Sequence, residues 1–367
     1  MNERKLNVAL LFGGRSGEHE VSLNSAQSIY KAIDRNRYNV ETIGISKLGQ
    51  WFWGESPEKL IKDGFPPIVQ SCQVTLVTDP SNPHFIALDG QVLPKQGKVD
   101  LVFPVLHGPY GEDGTLQGLL EMANIPYVGS GVLGSSLGMD KDRMKAVFLE
   151  KKLPLARYLT LLRSDFHNAL DENLNRIEQQ IGYPCFVKPA NLGSSVGISK
   201  AYDRLELQNA LNIAAIFDRK IVVEETIIGQ EIEISVLGND APKASLPGEV
   251  LPAHEFYTYE AKYSNIGSRL LIPAKLDESV VKRLQKIAVE AFCAVEACGL
   301  GRVDFFVTSQ NEIFLNEINT LPGFTEISMY PKLWEATGIS YSELIDRLIM
   351  LGLERFKDKQ SSKISPK

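Results

Sequence analysis

Polar side chains alternate with apolar ones in two neighbouring segments near the end of the chain, where Arg302 and Asp304 precede a short polar turn and Glu317 and Asn319 follow it. If the segments are paired strands, Arg302 and Asp304 share one face, as Glu317 and Asn319 do. Burial of such groups is costly without partners, and carboxylate and amide oxygens are the ligands that Mg²⁺ prefers. The pattern predicts a magnesium site at Asp304, Glu317 and Asn319. The alternative is an internal salt bridge of Arg302 with Asp304 or Glu317.

A second candidate site begins where the strand-like segment Cys185 to Lys188 runs into a loop with the small residues Gly193, Ser194, Ser195 and Gly197. Backbone N–H groups of such a loop can surround a phosphate, and the lysine adds a positive charge. The loop is not a Walker A loop, because GxxxxGK[ST] does not occur in the chain. The alternative interpretation is a hairpin turn with a surface lysine.

Two further loops follow buried strand-like segments in the first third of the chain. Gly13 to Ser22 leads into a helix, which is the usual place for a ligand in an open α/β sheet. Glu18 is suited to bind a substrate ammonium there, unless Glu18 and Glu20 only favour the helix N-terminus. In the other loop, His107 ends a strand, and a lone histidine at such a position is more often structural than a catalytic base.

One motif is misleading. Gly129 to Gly134 fits GxGxxG, but a dinucleotide-binding fold has this loop after its first strand and an acidic residue at the end of the second strand. Here the motif follows at least three strands, and the residues near Glu150 are helical and rich in lysine. We interpret the motif as a tight turn between domains.

The elements that position these residues alternate between strand and helix in the first third, which predicts an open α/β layer. Its segments are Asn7 to Phe12, Ser22 to Asp34, Tyr38 to Ile45, Val99 to Leu106 and Thr115 to Ala123. Glu55 to Lys98 is predicted to be an elaborated excursion and not a linker. Later, Arg204 to Phe217 and Ser279 to Cys298 have helical periodicity, and Gly299 is predicted to be the C-cap of the second helix.

Composition excludes several classes of protein. The 367 residues suggest two or three domains, and the net charge of −6 argues against a general binder of nucleic acid or anionic membranes. The four cysteines form no CxxC pair, which indicates free thiols of a reducing compartment. No apolar run is long enough for a transmembrane helix, and Val8 to Phe12 is too short for a signal-peptide core. The protein is predicted to be cytoplasmic.

Taken in order, the motifs resemble those of the D-alanine–D-alanine ligases of the ATP-grasp superfamily, over nearly the whole chain. They are GGRSGEHEVS (Gly13 to Ser22), LHGPYGEDGTLQG (Leu106 to Gly118), MDK (Met139 to Lys141), VKPANLGSSVG (Val187 to Gly197), EAKY (Glu260 to Tyr263), GRVDFF (Gly301 to Phe306) and NEINTLPGFT (Asn316 to Thr325). The resemblance implies an α/β fold with α+β character in the C-terminal two thirds. It also implies an N-terminal pre-ATP-grasp domain at 1–129, a central lid at 130–228 and a catalytic domain at 229–367.

The resemblance further implies a site for ATP between two small antiparallel sheets. Its residues are Lys141, Lys188, Ser194 and Ser195 at the phosphates, Glu224, Glu225 and Ile227 at the adenine, and Glu231 at the ribose. Two Mg²⁺ or Mn²⁺ ions are implied at Asp304, Glu317 and Asn319. Glu225 is an acid where many relatives have lysine, which matters only if its side chain and not its backbone contacts adenine.

For the amino acids, the resemblance implies substrate contacts from Glu18, His107, Lys262, Tyr263 and Ser328. Glu18 is placed at the ammonium of the first D-alanine and Ser328 at the carboxylate of the second, and Lys262 and Tyr263 lie in a closing loop. The implied catalytic set is Glu18, Ser194, Tyr263, Arg302 and Gly323, of which Arg302 and the Gly323 amide would stabilise an oxyanion. If Glu18, Ser194 and Tyr263 form a hydrogen-bonded set, Tyr263→Phe should raise D-lactate use relative to D-alanine, and an unchanged ratio would refute this.

The implied function is ATP-dependent ligation of two D-alanines through D-alanyl phosphate, for peptidoglycan precursors, by a homodimer. Cations suit the charge that gathers on the phosphoryl group, and a closing loop would protect the acyl phosphate from water. One alternative is another ATP-grasp ligase that joins a carboxylate to a different amine or thiol, or to D-lactate. Another is a nucleotide-binding regulator without turnover. An NAD-dependent dehydrogenase would rest on Gly129 to Gly134 alone.

Overall fold

A computed structural model describes residues 4–64, 72–193, 196–252 and 268–363 of the chain. The described residues form three β-sheets, each with helices packed against it. Among these residues, none of the helices combines the length and the apolarity that crossing a bilayer requires.

The first sheet has the strand order β5-β4-β3-β2-β1-β6. Its strands are β1 (Leu6–Gly13), β2 (Tyr38–Ile45), β3 (Trp51–Trp53), β4 (Cys72–Val77), β5 (His84–Ala87) and β6 (Leu101–Val105), with helices α1 (His19–Ala32), α2 (Pro57–Asp63) and α3 (Thr115–Met122). β1 is parallel to β2 and β6 and is buried because it is central, which confirms the predicted α/β layer. β4 and β5 extend the sheet beyond β3, so the excursion is part of the fold and not a linker.

The second sheet is antiparallel, with the order β7-β10-β8-β9. Its strands are β7 (Tyr158–Leu162), β8 (Cys185–Pro189), β9 (Ser199–Ala201) and β10 (Lys220–Glu225), with helices α6 (Arg163–Asn168), α7 (Leu170–Gln180) and α8 (Arg204–Phe217). Two helices, α4 (Val132–Met139) and α5 (Lys141–Glu150), precede this sheet. The Asp140 side chain caps α5 by accepting hydrogen bonds from the Asp142 and Arg143 amides.

The third sheet has the order β14-β13-β11-β15-β16, and β12 pairs with β11. Its strands are β11 (Gln230–Gly238), β12 (Lys243–Ala244), β13 (Gly248–Pro252), β14 (Ser268–Leu271), β15 (Gly299–Val307) and β16 (Ile313–Asn319), with helices α9 (Glu278–Ala294), α10 (Met329–Ala336) and α11 (Tyr341–Ser361). The paired strands predicted at Arg302 and Glu317 are therefore confirmed as β15 and β16.

The helix predicted at Ser279 to Cys298 ends earlier, and the prediction that Gly299 is its C-cap is wrong. Val295 is the C-cap, and Glu296 takes the left-handed φ of 55° that turns the chain. Gly299 has a φ of 74° but is the first residue of β15. The GxGxxG segment packs here, because a Cβ at Gly134 would lie 2.5 Å from the Glu296 carbonyl oxygen.

Helix α11 holds the first and third sheets together. Leu344 and Leu348 of this helix are buried in one apolar cluster with Val8 of β1, Phe103 of β6 and Leu300 of β15. Since apolar burial stabilises in proportion to the area removed from water, this cluster fixes the loops after β1 and β6 against the beginning of β15.

Candidate active site

A cavity of about 580 Å³ lies between the second and third sheets. Charged side chains from both sheets and from α5 line it: Lys141, Lys145, Lys188, Glu224, Asp304 and Glu317. The predicted adenine and ribose residues Glu225, Ile227 and Glu231 line it as well. The structure therefore brings together at one cavity the described residues that the sequence predicted for a nucleotide.

Three buried charges form a cluster in the wall of this cavity. The Lys188 Nζ lies 2.9 Å from Glu224 Oε2, and the Lys145 Nζ lies 3.2 Å from Glu224 Oε1. Burial by itself would raise the pKa of Glu224, but Lys145 and Lys188 together lower it to about 2. Burial lowers the pKa of Lys145, whereas Glu224 and Glu317 raise the pKa of Lys188 despite burial. Glu224 is thus an ionised carboxylate held between two lysines.

Lys141, the first residue of α5, connects the loop after β8 to the third sheet. Its Nζ donates a hydrogen bond of 2.9 Å to the Leu192 carbonyl oxygen and lies 3.2 Å from Glu317 Oε2. The side chain is mostly buried, so its charge acts on the cavity with little screening by solvent.

A β-bulge shapes the end of the third sheet. Asp304 lies opposite Glu317 and Phe305 opposite Leu315, so Asn316 is an extra residue in β16. As a result Asn316 and Glu317 both line the large cavity. The Asn316 carbonyl oxygen accepts a hydrogen bond of 3.0 Å from Lys145, and its amide oxygen accepts one of 3.4 Å from Lys188.

Arg302 forms the internal salt bridge that was the alternative to a metal site. Its Nε and Nη2 each lie 2.7 Å from a carboxylate oxygen of Asp304, and its Nε also lies 3.0 Å from Glu233 Oε2. Asp304 and Glu233 are both buried, and the guanidinium neutralises charge there. Burial would lower the pKa of Arg302, but the two carboxylates raise it well above its ordinary value.

The predicted metal ligands nevertheless have the right chemistry and placement for a hard divalent cation. Among the described residues no group of three or more His, Cys, Asp or Glu side chains is arranged to hold a metal ion. The predicted metal ligands are not a group of that kind, because they combine the facing carboxylates of Asp304 and Glu317 with the neutral amide of Asn319. These are the oxygen donors that Mg²⁺ and Mn²⁺ accept, so the residues fit the group.

A smaller cavity of about 70 Å³ adjoins the first. Lys141, Leu192, Gly193 and Glu317 line both cavities. The smaller one is also lined by five residues that the sequence predicted from widely separated motifs: Glu18, His107, Arg302, Asn319 and Gly323. The space suits a molecule of a few heavy atoms with charged groups at both ends.

Glycines surround the Glu18 carboxylate. A Cβ at Gly108 would lie 2.7 Å from Glu18 Oε2, and a Cβ at Gly193 would lie 3.3 Å from the same oxygen. Gly108 also has a φ of 78°, which favours glycine. Because Gly193 belongs to the loop after β8 and Glu18 to the loop after β1, these close approaches join the second sheet to the first.

His107 connects the first sheet to the segment after β16. Its Nδ1 lies 2.9 Å from the Leu321 carbonyl oxygen and 3.8 Å from Glu112 Oε1, and its Nε2 lies 3.1 Å from the Ser25 hydroxyl. Burial would lower the pKa of His107, but the carboxylates of Glu112 and Glu18 outweigh burial and raise it. The geometry thus supports the structural interpretation of His107 at the edge of the small cavity.

Two predicted residues have partners outside the cavity walls. Ser328 is not among the residues that line either cavity; its hydroxyl bonds the Thr325 amide at 3.0 Å and would lie 3.3 Å from a Cβ at Gly323. Glu225 lines the large cavity, but its carboxylate binds the Arg157 Nε at 2.7 Å. The predictions for Ser194, Ser195, Lys262 and Tyr263 lie outside the described residues.

Sequence reasoning missed several buried charged residues, among them Lys145, Glu233 and Glu112. A signal existed for Lys145, because Lys141 and Lys145 are four residues apart and thus share one face of α5. Glu233 follows Glu231 by two positions in β11, and it lies opposite Asp304 only in the folded sheet. Its partner could not be known before the strands were paired.

Two family models match the chain. One, described as the D-ala D-ala ligase N-terminus, matches residues 7–130, and the other, the D-ala D-ala ligase C-terminus, matches residues 147–350. The chain belongs to the D-alanine–D-alanine ligase family. Among curated members, the D-alanine–D-alanine ligase of Heliobacterium modesticaldum is 54% identical over 97% of both chains. That of Natranaerobius thermophilus is 52% identical, again over 97% of both.

Solved structures of the family agree with this ligase fold. The D-alanine–D-alanine ligase from Coxiella burnetii has a TM-score of 0.83 and 38% identity, over 97% of this chain and 98% of that one. The VanG D-Ala:D-Ser ligase from Enterococcus faecalis has a TM-score of 0.85 and 38% identity, over 95% of this chain and all of that one. The predicted ATP-grasp fold is confirmed.

Proposed function

We propose that the chain ligates two D-alanine molecules to D-alanyl-D-alanine, with ATP converted to ADP and phosphate. The observation that carries the proposal is the junction of the two cavities at Lys141 and Glu317. A nucleotide in the larger cavity would direct its terminal phosphate to this junction. A small amino acid in the other cavity would present its carboxylate there.

The nucleotide is proposed to lie with its adenine at Glu224, Glu225 and Ile227 and its ribose at Glu231. Because Glu225 binds Arg157, the adenine would be read at that position through the backbone. The phosphates would bind Lys141 and Lys188, together with Ser194 and Ser195. Fixed cations in a site shielded from water stabilise the charge that develops during phosphoryl transfer.

In the first step, the ammonium of one D-alanine would bind Glu18 beside Gly108 and Gly193. Its carboxylate oxygen would attack the γ-phosphorus, and the bond from that phosphorus to the ADP oxygen would break, giving D-alanyl phosphate and ADP. Lys141 is held at the junction by Leu192 and Glu317, and it would balance the charge on the transferred group.

Two Mg²⁺ or Mn²⁺ ions are proposed at Asp304, Glu317 and Asn319. Bound there, they would neutralise the phosphate oxygens and orient the group for transfer. The fit of the donor set supports this proposal, and the chain's own lysines supply the other positive charge.

In the second step, the amine of a second D-alanine would attack the acyl carbon. The bond from that carbon to the phosphate oxygen would break, and phosphate would leave with the proton that the amine loses. Arg302 and the Gly323 amide, both at the small cavity, would stabilise the tetrahedral oxyanion. Ser328 would bind the second carboxylate, and His107 would support the pocket. Lys262 and Tyr263 are proposed for the loop that closes over the reactants.

The test is ADP release from Mg²⁺–ATP with D-alanine, with L-alanine as the matched control. ADP formation that requires D-alanine and yields the dipeptide would support the proposal. A lack of stimulation by D-alanine would contradict the proposal and direct the search to other carboxylate–amine pairs. D-serine and D-lactate should be offered as second substrates, because a D-Ala:D-Ser ligase is among the similar structures.

We also propose domain limits of 1–129, 130–228 and 229–367, a homodimer, and a cytoplasmic location. The division into three sheets supports the limits, and the four free cysteines Cys72, Cys185, Cys293 and Cys298 support a reducing compartment. Light scattering coupled to gel filtration would test the dimer, since a monomer mass would contradict it.

A further inference from the structure

Lys145 is the most deeply buried cation at the large cavity that the proposed reaction does not use. Its side chain is 1% exposed, and its Nζ contacts Glu224 Oε1 at 3.2 Å and the Asn316 carbonyl oxygen at 3.0 Å. One side chain thus connects α5, the adenine-side strand β10 and the bulge of β16. These three elements carry Lys141, Glu224 and Glu317.

Lys145 and Lys188 share one carboxylate, each from its own side. Lys188 bonds Glu224 Oε2 at 2.9 Å, while Lys145 lies at Oε1. The two lysines differ in their other partners, because Lys188 reaches the Asn316 side chain and Lys145 reaches the Asn316 backbone. A backbone partner moves little, so Lys145 is the more firmly fixed of the two.

This arrangement creates a conflict for any lysine that must bind phosphate. When Lys188 turns from Glu224 toward phosphate oxygens, Glu224 loses its closer partner. A carboxylate that is 5% exposed and has no counter-charge is strongly destabilising. Lys145 removes the conflict because it remains beside Glu224 after Lys188 has left.

We propose that Lys145 is a positioning residue that makes Lys188 available to the nucleotide by keeping Glu224 neutralised. The inference rests on the proposed function insofar as Lys188 binds phosphates. In this view Lys145 never contacts the reacting atoms and acts only through Glu224.

The experiment compares Lys145→Met, Glu224→Gln and the double variant in the full-length protein. The affinity for Mg²⁺–AMP-PNP is measured by calorimetry, and the KM for D-alanine and the Tm are measured in parallel. Lys145→Met should weaken binding of the analogue by about tenfold or more, because Glu224 would then retain its ion pair with Lys188 and hold this lysine away from the phosphates. The double variant should bind better than Lys145→Met, because the carboxylate that retains Lys188 has gone.

Lys220→Met is the matched control. Lys220 is also a mostly buried lysine with two carboxylate partners, Asp140 at 2.7 Å and Asp142 at 3.1 Å, but it lines neither cavity. This control should lower the Tm without weakening the affinity for the analogue. If Lys145→Met fails to fold, Lys145→Arg, which keeps the charge, replaces it and should bind nearly as the wild type does.

The inference is wrong if Lys145→Met binds the analogue as the wild type does, if the double variant is no better than Lys145→Met, or if Lys145→Arg binds as poorly as a variant without charge. Failure of the proposed function would look different. The wild type would then form no dipeptide from D-alanine, whatever the binding measurements gave.

Discussion

The Arg302 guanidinium holds the Asp304 carboxylate through two hydrogen bonds, each 2.7 Å long. Both residues belong to β15 and face the same way. Asp304 is proposed to bind a metal ion and Arg302 to bind an oxyanion, and the salt bridge between them opposes both roles. A divalent cation at Asp304 must compete with Arg302, and an oxyanion at Arg302 must compete with Asp304. The salt bridge and the proposed metal site therefore draw on the same carboxylate.

Arg302→Met should separate these tasks. Without the guanidinium, Asp304 and Glu233 are buried acids that a cation can relieve, so Mn²⁺ should raise the Tm of the variant more than that of the wild type. Dipeptide formation should fall about 10²- to 10³-fold because an oxyanion donor of the second step is lost. Arg347→Met, which breaks an exposed pair with Glu343, is the control. Equal Mn²⁺ shifts in the variant and the wild type would argue against competition at Asp304.

Glu233→Gln tests the second partner of Arg302. The Glu233 carboxylate, 3.0 Å from the Arg302 Nε, is the counter-charge that remains if Asp304 turns to a cation. Its loss should misplace the guanidinium and lower kcat by about tenfold, with little change in the KM for ATP. Steady-state kinetics in both substrates would check this. A raised KM for ATP at unchanged kcat would show that Glu233 serves the nucleotide instead.

His107 should make stability depend on pH. Its pKa in the folded protein is raised above the ordinary 6.5, so its contribution is fully present below that pH and is lost as pH rises through the folded-state value. The Tm of the wild type should fall over this interval, and His107→Gln should flatten the decline. His84→Gln is the control, because His84 is only partly buried and its Nδ1 bonds the Asn82 carbonyl oxygen at 2.8 Å. Parallel pH curves for wild type and His107→Gln would contradict the prediction.

Gly108→Ala should impair the use of D-alanine selectively. The added Cβ would lie 2.7 Å from Glu18 Oε2 and would displace the carboxylate proposed to bind the ammonium. The KM for D-alanine should rise about tenfold or more, while nucleotide affinity stays the same. Gly49→Ala suffers the same strain at a φ of 85° but has open space around the new Cβ, so it should leave the KM unchanged. Equal effects of both substitutions would mean that strain alone is responsible.

Much of the fold could be predicted because its signals are local. β1 is a short apolar run between two parallel neighbours, and the apolar period of α9 matches its buried face. The end of α9 could not be predicted. The sequence pointed to Gly299 as the residue that ends the helix, whereas Glu296 adopts the left-handed conformation that turns the chain. Cap geometry in this turn depends on the chain that packs against it.

The candidate site, like the fold, could be predicted only in part from the sequence. Motifs predicted Glu18, Arg302 and Gly323, but only the packed fold places them at one small cavity. Strand alternation predicted either a metal site or a salt bridge of Arg302 with Asp304. Only the side-chain geometry shows that the salt bridge forms. Lys145 was missed because helical spacing marks a shared face without showing that the face is buried.

The bulge in β16 makes the length of this strand as important as its composition. The buried residues Leu315 and Ile318 are three positions apart, whereas strict alternation allows two or four. Deletion of Asn316 would place Ile313, Leu315 and Ile318 on one face in strict alternation and would keep the pairing with β15, so the core does not require the extra residue. The extra residue instead serves the cavity, because it supplies the oxygens that Lys145 and Lys188 bind. Loss of this one residue should therefore cost nucleotide affinity while the sheet still forms.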